Sequence, residues 1–231
     1  MLDRLDTLLA PCGLFVRGGF HPVTEDAVPP LADGAPPGTC VLVGNAGDAM
    51  WRAFRERADL SVSRPLDRWL RGAIGETAAA LGAAALFPND GPPFVPVDRW
   101  AMRAEAVHRS PIGILVHPEF GLWHVYRAVL LFRERLPLPG PDRRASPCET
   151  CAKKPCLSVC PADAFSADRF DAASCVGHVK SAEGSNCRER GCLARRACPV
   201  GREYLYPSDQ QAFHTAAMVR AVERGFGKTE V

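Results

Sequence analysis

The sequence predicts an α+β chain in two parts: a larger sheet-and-helix part at the N-terminus and a small cysteine-rich part near the C-terminus. Leucines at helical spacing and short apolar runs alternate through residues 1–136. A proline-rich stretch, 137–147, reads as a linker. Eight of the ten cysteines then fall within residues 148–200. We therefore predict a first domain, a linker and a second domain over these ranges, followed by a C-terminal helix in 201–231 that packs back on the protein.

The first domain shows both helical and strand patterns. Leu2, Leu5, Leu8 and Leu9 form one stripe of a short amphipathic helix that Pro11 ends. Further helices are predicted over residues 47–58 and from Pro65 onward, with an alanine-rich continuation over 77–85. Strands are predicted over residues 14–16, 40–43, 112–117 and 125–132. Near the C-terminus, Ser208 and Gln211 have the spacing of a capping box that opens a final helix.

Composition narrows the class of protein. The 231 residues are 47% hydrophobic and 23% charged, which is ordinary for a soluble globular chain. A formal net charge of +2 gives no reason to expect nucleic-acid binding through bulk electrostatics. No apolar run approaches the roughly 20 residues that span a bilayer. The acidic residues of the opening MLDRLDTLLAPCG do not fit a signal peptide, so a cytoplasmic protein without a membrane partner is expected.

The cysteine spacing predicts two [4Fe-4S] clusters. The first four cysteines read C-x2-C-x4-C-x3-C with Pro161 directly after, and the last cysteine precedes Pro199. Three closely spaced thiolates can hold one face of a cubane while a distant one closes it, and in two-cluster ferredoxins the cysteine before proline ligates the other cluster. The predicted ligands are Cys148, Cys151, Cys156 and Cys198 for one cluster, and Cys160, Cys175, Cys187 and Cys192 for the second.

Clustered cysteines also occur in disulfide frameworks and structural zinc sites. A disulfide framework suits shorter secreted chains. Structural zinc usually takes two C-x2-C pairs, whereas only one is present here, and zinc stays open as an alternative. Cys12 and Cys40 lie beside or inside apolar elements, so we interpret them as inert core thiols.

Two protein families resemble parts of the chain. Residues 112–132 contain His-Pro-Glu-Phe-Gly-Leu-Trp followed by Arg127 and an apolar strand, which resembles the CblC-type cobalamin-processing proteins. The Pro11–Gly13 end of the first helix and the Pro37–Thr39 turn are similar to the same family, so this resemblance covers most of residues 1–136. The domain order and the eight cysteines resemble epoxyqueuosine reductases and reductive dehalogenases, and the Asp171–Cys175 stretch looks like the one carrying their fifth cluster cysteine.

These resemblances imply a nitroreductase-like first domain and a ferredoxin-like second domain. They imply that single electrons pass from the clusters to a corrinoid (cobalamin) or a similar cofactor in a cleft around residues 117–127. Arg127 occupies the position of the arginine that contacts the thiol co-substrate in CblC-type proteins, which makes it the catalytic candidate. The cofactor-binding candidates are His117, Phe120, Gly121 and Trp123. A salt bridge for Arg127, and core packing for His117 and Trp123, are the competing interpretations.

The sequence thus favours an iron–sulfur oxidoreductase with two [4Fe-4S] clusters and cobalamin as a further cofactor. The alternative is a non-catalytic electron carrier that serves a partner enzyme, and epoxyqueuosine-type tRNA modification comes third. The expected partners are an electron donor or acceptor protein and a small-molecule corrinoid. A homodimer stays open, because CblC-type relatives dimerise in some cases.

Overall fold

The computed structural model describes residues 1–140, 142–166 and 169–225. The chain divides into two compact units. The first combines Met1–Val107 with His124–Arg144, and the second combines His108–Trp123 with the described residues of Ala145–Val231. The sequence prediction places residues 108–123 in the first domain, whereas the structure groups them with the second unit. Pro141 of the predicted linker and residues 226–231 of the predicted C-terminal segment lie outside the described residues.

Both helices and strands are present, as the α+β prediction requires. The strands are β1 (Phe15–Phe20), β2 (Thr39–Ala46), β3 (Ala84–Leu86), β4 (His108–Arg109), β5 (Leu115–Val116) and β6 (His124–Phe132). The helices are α1 (Leu2–Leu9), α2 (Ala49–Arg57), α3 (Pro65–Ala80), α4 (Val97–Ala104), α5 (Pro147–Thr150), α6 (Ala172–Lys180), α7 (Ser185–Arg190), α8 (Leu193–Arg196) and α9 (Ser208–Glu223). No helix among the described residues is long and apolar enough to cross a membrane.

The first unit is built on a four-stranded antiparallel sheet in the order β1-β2-β6-β3. β2 is buried over all but its last residue, because strands cover both of its edges and helices pack against the sheet. Its continuous apolar run, Cys40–Val43, is what such a central strand needs. α1 packs on β1 through Leu5 and Leu9, while Leu8 of the predicted stripe is 39% exposed.

Two elements of the first unit differ from prediction. The alanine-rich stretch does not continue as helix to residue 85. α3 ends at Ala80, Gly82 takes a left-handed conformation at φ +66°, and Ala84–Leu86 then pair with β6. The sheet edge therefore overrides the helical propensity of alanine. Helix α4 was not predicted, although four buried residues at helical spacing line its inner face: Val97, Trp100, Ala101 and Ala104.

The second unit contains the short hairpin β4–β5 and the helices α5 to α9. Only Leu115–Val116 of the predicted strand 112–117 pairs as a strand. A turn precedes it, in which the Gly113 N–H donates to the Ser110 carbonyl at 2.9 Å. α9 packs on α6 and α7. It begins at Ser208 without a side-chain cap, so the capping box is wrong; Gln211 instead donates to the Tyr206 carbonyl at 2.7 Å.

Candidate metal centres

Eight cysteines of the second unit line two cavities, four at each. The first cavity is lined by Cys148, Cys151, Cys156 and Cys198. The second cavity is lined by Cys160, Cys175, Cys187 and Cys192. These are the two groups that the spacing assigns to separate clusters, with the cysteine before each proline placed in the other half's group. Ligation itself stays a prediction. None of the ten cysteines, all of which lie in the described part of the chain, forms a disulfide.

Local capping and turns present the cysteines of the first cavity. Ser146 caps α5 by accepting a hydrogen bond from the Cys148 N–H at 3.3 Å, which sets Cys148 in the first turn. Lys154, in a left-handed conformation, starts a short 3-10 turn over Pro155–Leu157 that presents Cys156. The sequence CETCAKKPC therefore folds into two tight turns that aim its cysteines at one space.

A close backbone contact positions the fourth cysteine of the first cavity. A Cβ atom on Gly121 would lie 2.0 Å from the Val200 carbonyl oxygen, and one on Gly201 would lie 2.3 Å from the Phe120 carbonyl carbon. Both glycines have positive φ, at +55° and +68°. Both positions therefore require glycine, because the backbone has a positive φ and because there is no space for a Cβ atom. The loop after Cys198 rests directly on the loop at residues 120–121.

The cysteines of the second cavity come from helices. Asp171 caps α6 by accepting the Ser174 N–H at 3.0 Å, and Cys175 lies in that helix. Cys187 lies in α7, and Cys192 immediately precedes α8. Burial raises the pKa of the Cys192 thiol, and hydrogen bonds from the backbone N–H groups of Arg195 and Ala194 to its sulfur oppose that rise. Such donors stabilise a thiolate and any anionic cluster bound to it.

Burial raises the pKa of several of these thiols above the ordinary value. It is the largest cause for Cys148, Cys156, Cys192 and Cys198, and it contributes most to raising the pKa of Cys175 to about 11. Repulsion from other cysteines of the same group adds to the effect, as between Cys175 and Cys192. Four thiolates can therefore share one cavity only when a bound cation offsets their charge.

The donor set fits cubane clusters. Among the described residues, no three His, Cys, Asp or Glu side chains lie close enough together to hold one metal ion. A [4Fe-4S] cubane makes a different demand, because each of its four thiolates binds a separate iron. The apolar surroundings also suit a cluster: Val116, Leu122 and Ala194 belong to a small core against which Cys148, Cys156, Cys192 and Cys198 pack.

The predicted cofactor-binding residues pack within the second unit. His117 is 4% exposed, its ring stacks on Phe120 at 4.4 Å, and its Nδ1 accepts the Glu119 and Phe120 N–H groups at 3.1 Å each. Gly121 makes the backbone contact with Val200, and Trp123 is 1% exposed against Tyr206. The core-packing interpretation describes these contacts, and the cofactor-binding role stays a prediction.

Arg195, which is not among the predicted site residues, joins two parts of the second unit. Its Nε donates to the Leu122 carbonyl oxygen at 3.0 Å. Its guanidinium lies 4.5 Å from the ring centre of Trp123 and 4.8 Å from that of Tyr206. This cation–π stack ties α8, which follows Cys192, to the 108–123 segment. A single sequence gives no signal for it, because the two partners are 72 residues apart.

The catalytic candidate Arg127 lies in the first unit, on β6. It is half-buried, and its Nε donates to Asn45 Oδ1 at 2.9 Å. It lines a cavity with Arg71 and Phe87; Arg71 lies 4.4 Å from the Phe87 ring centre and pairs with Asp90. Of the five residues predicted for catalysis and cofactor binding, Arg127 is the one that lines this cavity in the described part of the chain. The cavity presents two guanidinium groups.

A buried ionic network in the first unit was not foreseen. Arg17, with a fully buried side chain, pairs with Glu105 at 2.8 Å and contacts His124 Nδ1 at 3.2 Å. The Tyr126 hydroxyl donates to the same carboxylate. Burial is the largest cause raising the pKa of Glu105, and Arg17 opposes it. Burying a charge requires such pairing, and the network joins β1 and β6 to Glu105, the residue that follows α4.

The fold is similar to that of epoxyqueuosine reductases. The enzyme from Streptococcus thermophilus aligns with a TM-score of 0.50 at 12% identity, over 89% of this chain and 67% of that one. An epoxyqueuosine reductase solved with an epoxyqueuosine-modified tRNA-Tyr stem loop aligns with a TM-score of 0.51 at 13% identity, over 91% and 67%. No family model and no curated protein matches the sequence. The likeness establishes the fold. The CblC part of the resemblance has no counterpart among these matches.

Proposed function

We propose that this chain is an iron–sulfur oxidoreductase that holds two [4Fe-4S] clusters. The observation that carries the proposal is the division of eight cysteines into two groups of four, each facing its own cavity. The ligands of the first cluster are Cys148, Cys151, Cys156 and Cys198. Those of the second are Cys160, Cys175, Cys187 and Cys192. The second unit is then a ferredoxin-like module, and a reducing compartment such as the cytoplasm suits its thiolates.

Bound clusters of this type supply one-electron chemistry. The chain's own residues would set how easily each cluster is reduced. Apolar surroundings such as Val116 and Leu122 favour the less charged, oxidised cluster, whereas N–H donors to sulfur, as at Cys192, favour the reduced one. The two cavities differ in lining, since Lys154 lines the first and His178 the second. Two distinct reduction potentials follow.

We further propose that the electrons pass to a species bound in the first unit. The fold supports an epoxyqueuosine reductase plan, in which a nitroreductase-like domain binds the species to be reduced. The cavity of the first unit, with Arg71 and Arg127 in its lining, is the candidate site for it. A guanidinium group favours an anionic ligand, but Arg71 pairs with Asp90 and Asp67 also lines the cavity, so this preference rests on Arg127. The proposal that this unit binds a corrinoid rests on the resemblance to CblC-type proteins alone.

The experiment is metal and sulfide analysis of protein purified without oxygen. We expect about eight irons and eight acid-labile sulfides per chain, with a broad visible absorbance that bleaches on reduction. Zinc without sulfide would replace the cluster proposal with structural zinc. Cobalt, or a spectral change when cobalamin is supplied, would support the corrinoid half. Iron without any cobalamin binding would restrict the chain to electron transfer with another acceptor.

A second candidate function is tRNA modification of the epoxyqueuosine type. The favouring observation is the fold shared with a reductase solved on a modified tRNA stem loop. Expression in a strain lacking epoxyqueuosine reductase tests it: restored queuosine in tRNA supports this function. If queuosine stays absent while the protein is loaded with clusters, electron transfer to a partner enzyme becomes the better account.

A further inference from the structure

One exposed segment contains a proposed ligand of the first cluster and adjoins a proposed ligand of each cluster. Residues 152–159 begin after Cys151, contain Cys156 and end before Cys160. Cys151 and Cys156 line the first cavity, and Cys160 lines the second. Six residues of the segment are exposed: Ala152, Lys153, Lys154, Leu157, Ser158 and Val159. This 152–159 segment is therefore a stretch of outer surface directly connected to both candidate metal centres.

The segment combines apolar and cationic side chains. Leu157 and Val159 are each 39% exposed. Lys153 and Lys154 add two positive charges, and the segment contains no carboxylate. Lys154 lines the first cavity. Positive charge of this kind is complementary to an acidic partner protein.

We propose that the 152–159 segment is the docking surface for an acidic protein that carries single electrons, an inference that rests on the proposed function. Electron transfer becomes faster as donor and acceptor approach, and this largely exposed segment contains Cys156 and adjoins Cys151 and Cys160. Complexes of electron-transfer proteins bury small interfaces and are short-lived. Positive charge on one partner steers a negative partner to it.

The apolar pair favours a protein over a nucleic acid as the occupant. A single-stranded or looped RNA is held by cations on phosphate and by aromatic or guanidinium stacking on its bases. The segment has cations but contains no aromatic side chain and no arginine. Exposed Leu157 and Val159 contribute nothing to phosphate binding, whereas they fit the apolar centre of a protein contact.

The reaction at this surface is one electron transfer. The carrier would give up one electron and a cluster held by these cysteines would take it up, with no bond made or broken. With a flavodoxin as carrier, the anionic flavin hydroquinone becomes the neutral semiquinone. Lys153 acts by steering and docking rather than by chemistry, since only Lys154 of the two lines the cavity.

The test measures cluster reduction in the full-length, cluster-loaded protein by stopped flow. The reductants are an acidic flavodoxin in its hydroquinone form and, separately, dithionite. The variant is Lys153→Glu. The matched control is Lys180→Glu, the same charge change on an exposed helix of the same unit, where the ion pair with Glu223 is exposed and contributes little. Leu157→Ser is a second variant that leaves the charge unaltered.

We expect Lys153→Glu to slow reduction by flavodoxin about fivefold or more at low ionic strength. The difference should shrink towards twofold or less near 1 M salt, where screening is nearly complete. Reduction by dithionite should be unchanged, and Lys180→Glu should stay within twofold of the parent. Leu157→Ser should slow cluster reduction by flavodoxin at every salt concentration, because it removes an apolar contact rather than a charge.

Three results would overturn the proposal. The first is no change with flavodoxin in both Lys153→Glu and Leu157→Ser. The second is an equal loss in Lys180→Glu, which would indicate a general charge effect. The third is binding of a tRNA probe that Lys153→Glu abolishes while flavodoxin reduction is unaffected, which would assign the segment to RNA. Each requires normal iron and sulfide content; a parent protein without clusters would instead overturn the proposed function itself.

Discussion

Replacing Gly121 with alanine tests the backbone contact that positions the loop after Cys198. The new Cβ would lie 2.0 Å from the Val200 carbonyl oxygen and 2.6 Å from its carbon, and both are backbone atoms that cannot rotate away. The φ of +55° adds about 1–2 kcal/mol for an L-residue in the left-handed region. Displacing the Val200 backbone adds about 1–3 kcal/mol, as overpacking generally does. The expected loss in free energy of unfolding is therefore about 2–5 kcal/mol.

Gly113→Ala supplies the matched control. Gly113 lies in the same 108–123 segment with a φ of +82°, and nothing lies within 4 Å of the Cβ it would gain. It shares the conformational cost and lacks the collision, so it should lose only about 1–2 kcal/mol. Urea unfolding of both variants, followed by circular dichroism, gives the two values.

The iron content of the two variants distinguishes loss of the Gly121–Val200 contact from a general loss of stability. In Gly121→Ala the loop carrying Cys198 must move, so the first cluster should be lost selectively and about four irons per chain should remain of about eight. Gly113→Ala should keep both clusters. If the two variants lose equal stability and retain equal iron, the close contact does not position Cys198 and the reasoning fails.

Three further predictions concern single side chains. The carboxylate of Asp171 accepts hydrogen bonds from the backbone N–H and the hydroxyl of Ser174, and these bonds hold its pKa below 3.8 in the folded state. The stabilisation that they give is complete above pH 3.8 and is lost as the pH falls through the folded pKa. Asp171→Asn should keep the helix cap but flatten that acid limb of a stability-versus-pH curve, whereas Asp171→Ala should lose both, and an unchanged acid limb in Asp171→Asn would contradict the assignment. Trp123→Ala should lower the free energy of unfolding by about 3–5 kcal/mol, because a fully buried ring and one face of the Arg195 stack are removed; a loss under about 1 kcal/mol in urea unfolding would refute this. Asp26→Ala should cost about 2–3 kcal/mol, since buried Asp26 accepts the Val23 N–H at 2.8 Å and pairs with Arg103, and thermal unfolding matching the parent's would argue against it.

Regular patterns in the sequence predicted much of the first unit, and tertiary contacts explain what was missed. The apolar run Cys40–Val43 identified the central strand, because a strand buried on both faces needs little else. Ala84–Leu86 looked helical, because alanine favours helices and the pairing partner, β6, is more than 40 residues away. The buried spacing of Val97, Trp100 and Ala101 could have revealed α4, so that signal was available and unused.

The candidate site, like the fold, was predicted in part from sequence patterns and was missed where distant residues meet. Cysteine spacing alone proposed the two groups of four, since the Cys-Pro steps indicate which ligand crosses over. The 117–123 motif indicated a family and a cleft, but a motif does not reveal what a loop packs against. Its Gly121 meets Val200, about 80 residues later, through backbone atoms that leave no pattern in side chains. The Arg195 stack on Trp123 was hidden for the same reason.

The crossed ligand assignment is the central claim, and iron analysis of two double variants tests it most directly. Cys156→Ala with Cys198→Ala removes two ligands of the first cluster, so about four irons per chain should remain of about eight after anaerobic reconstitution. Cys156→Ala with Cys160→Ala removes one ligand from each cluster, so both should be lost or severely depleted. Each variant lacks two cysteines, which controls for thiol number. The reverse pattern, with four irons retained in the second variant and almost none in the first, would contradict the crossed arrangement.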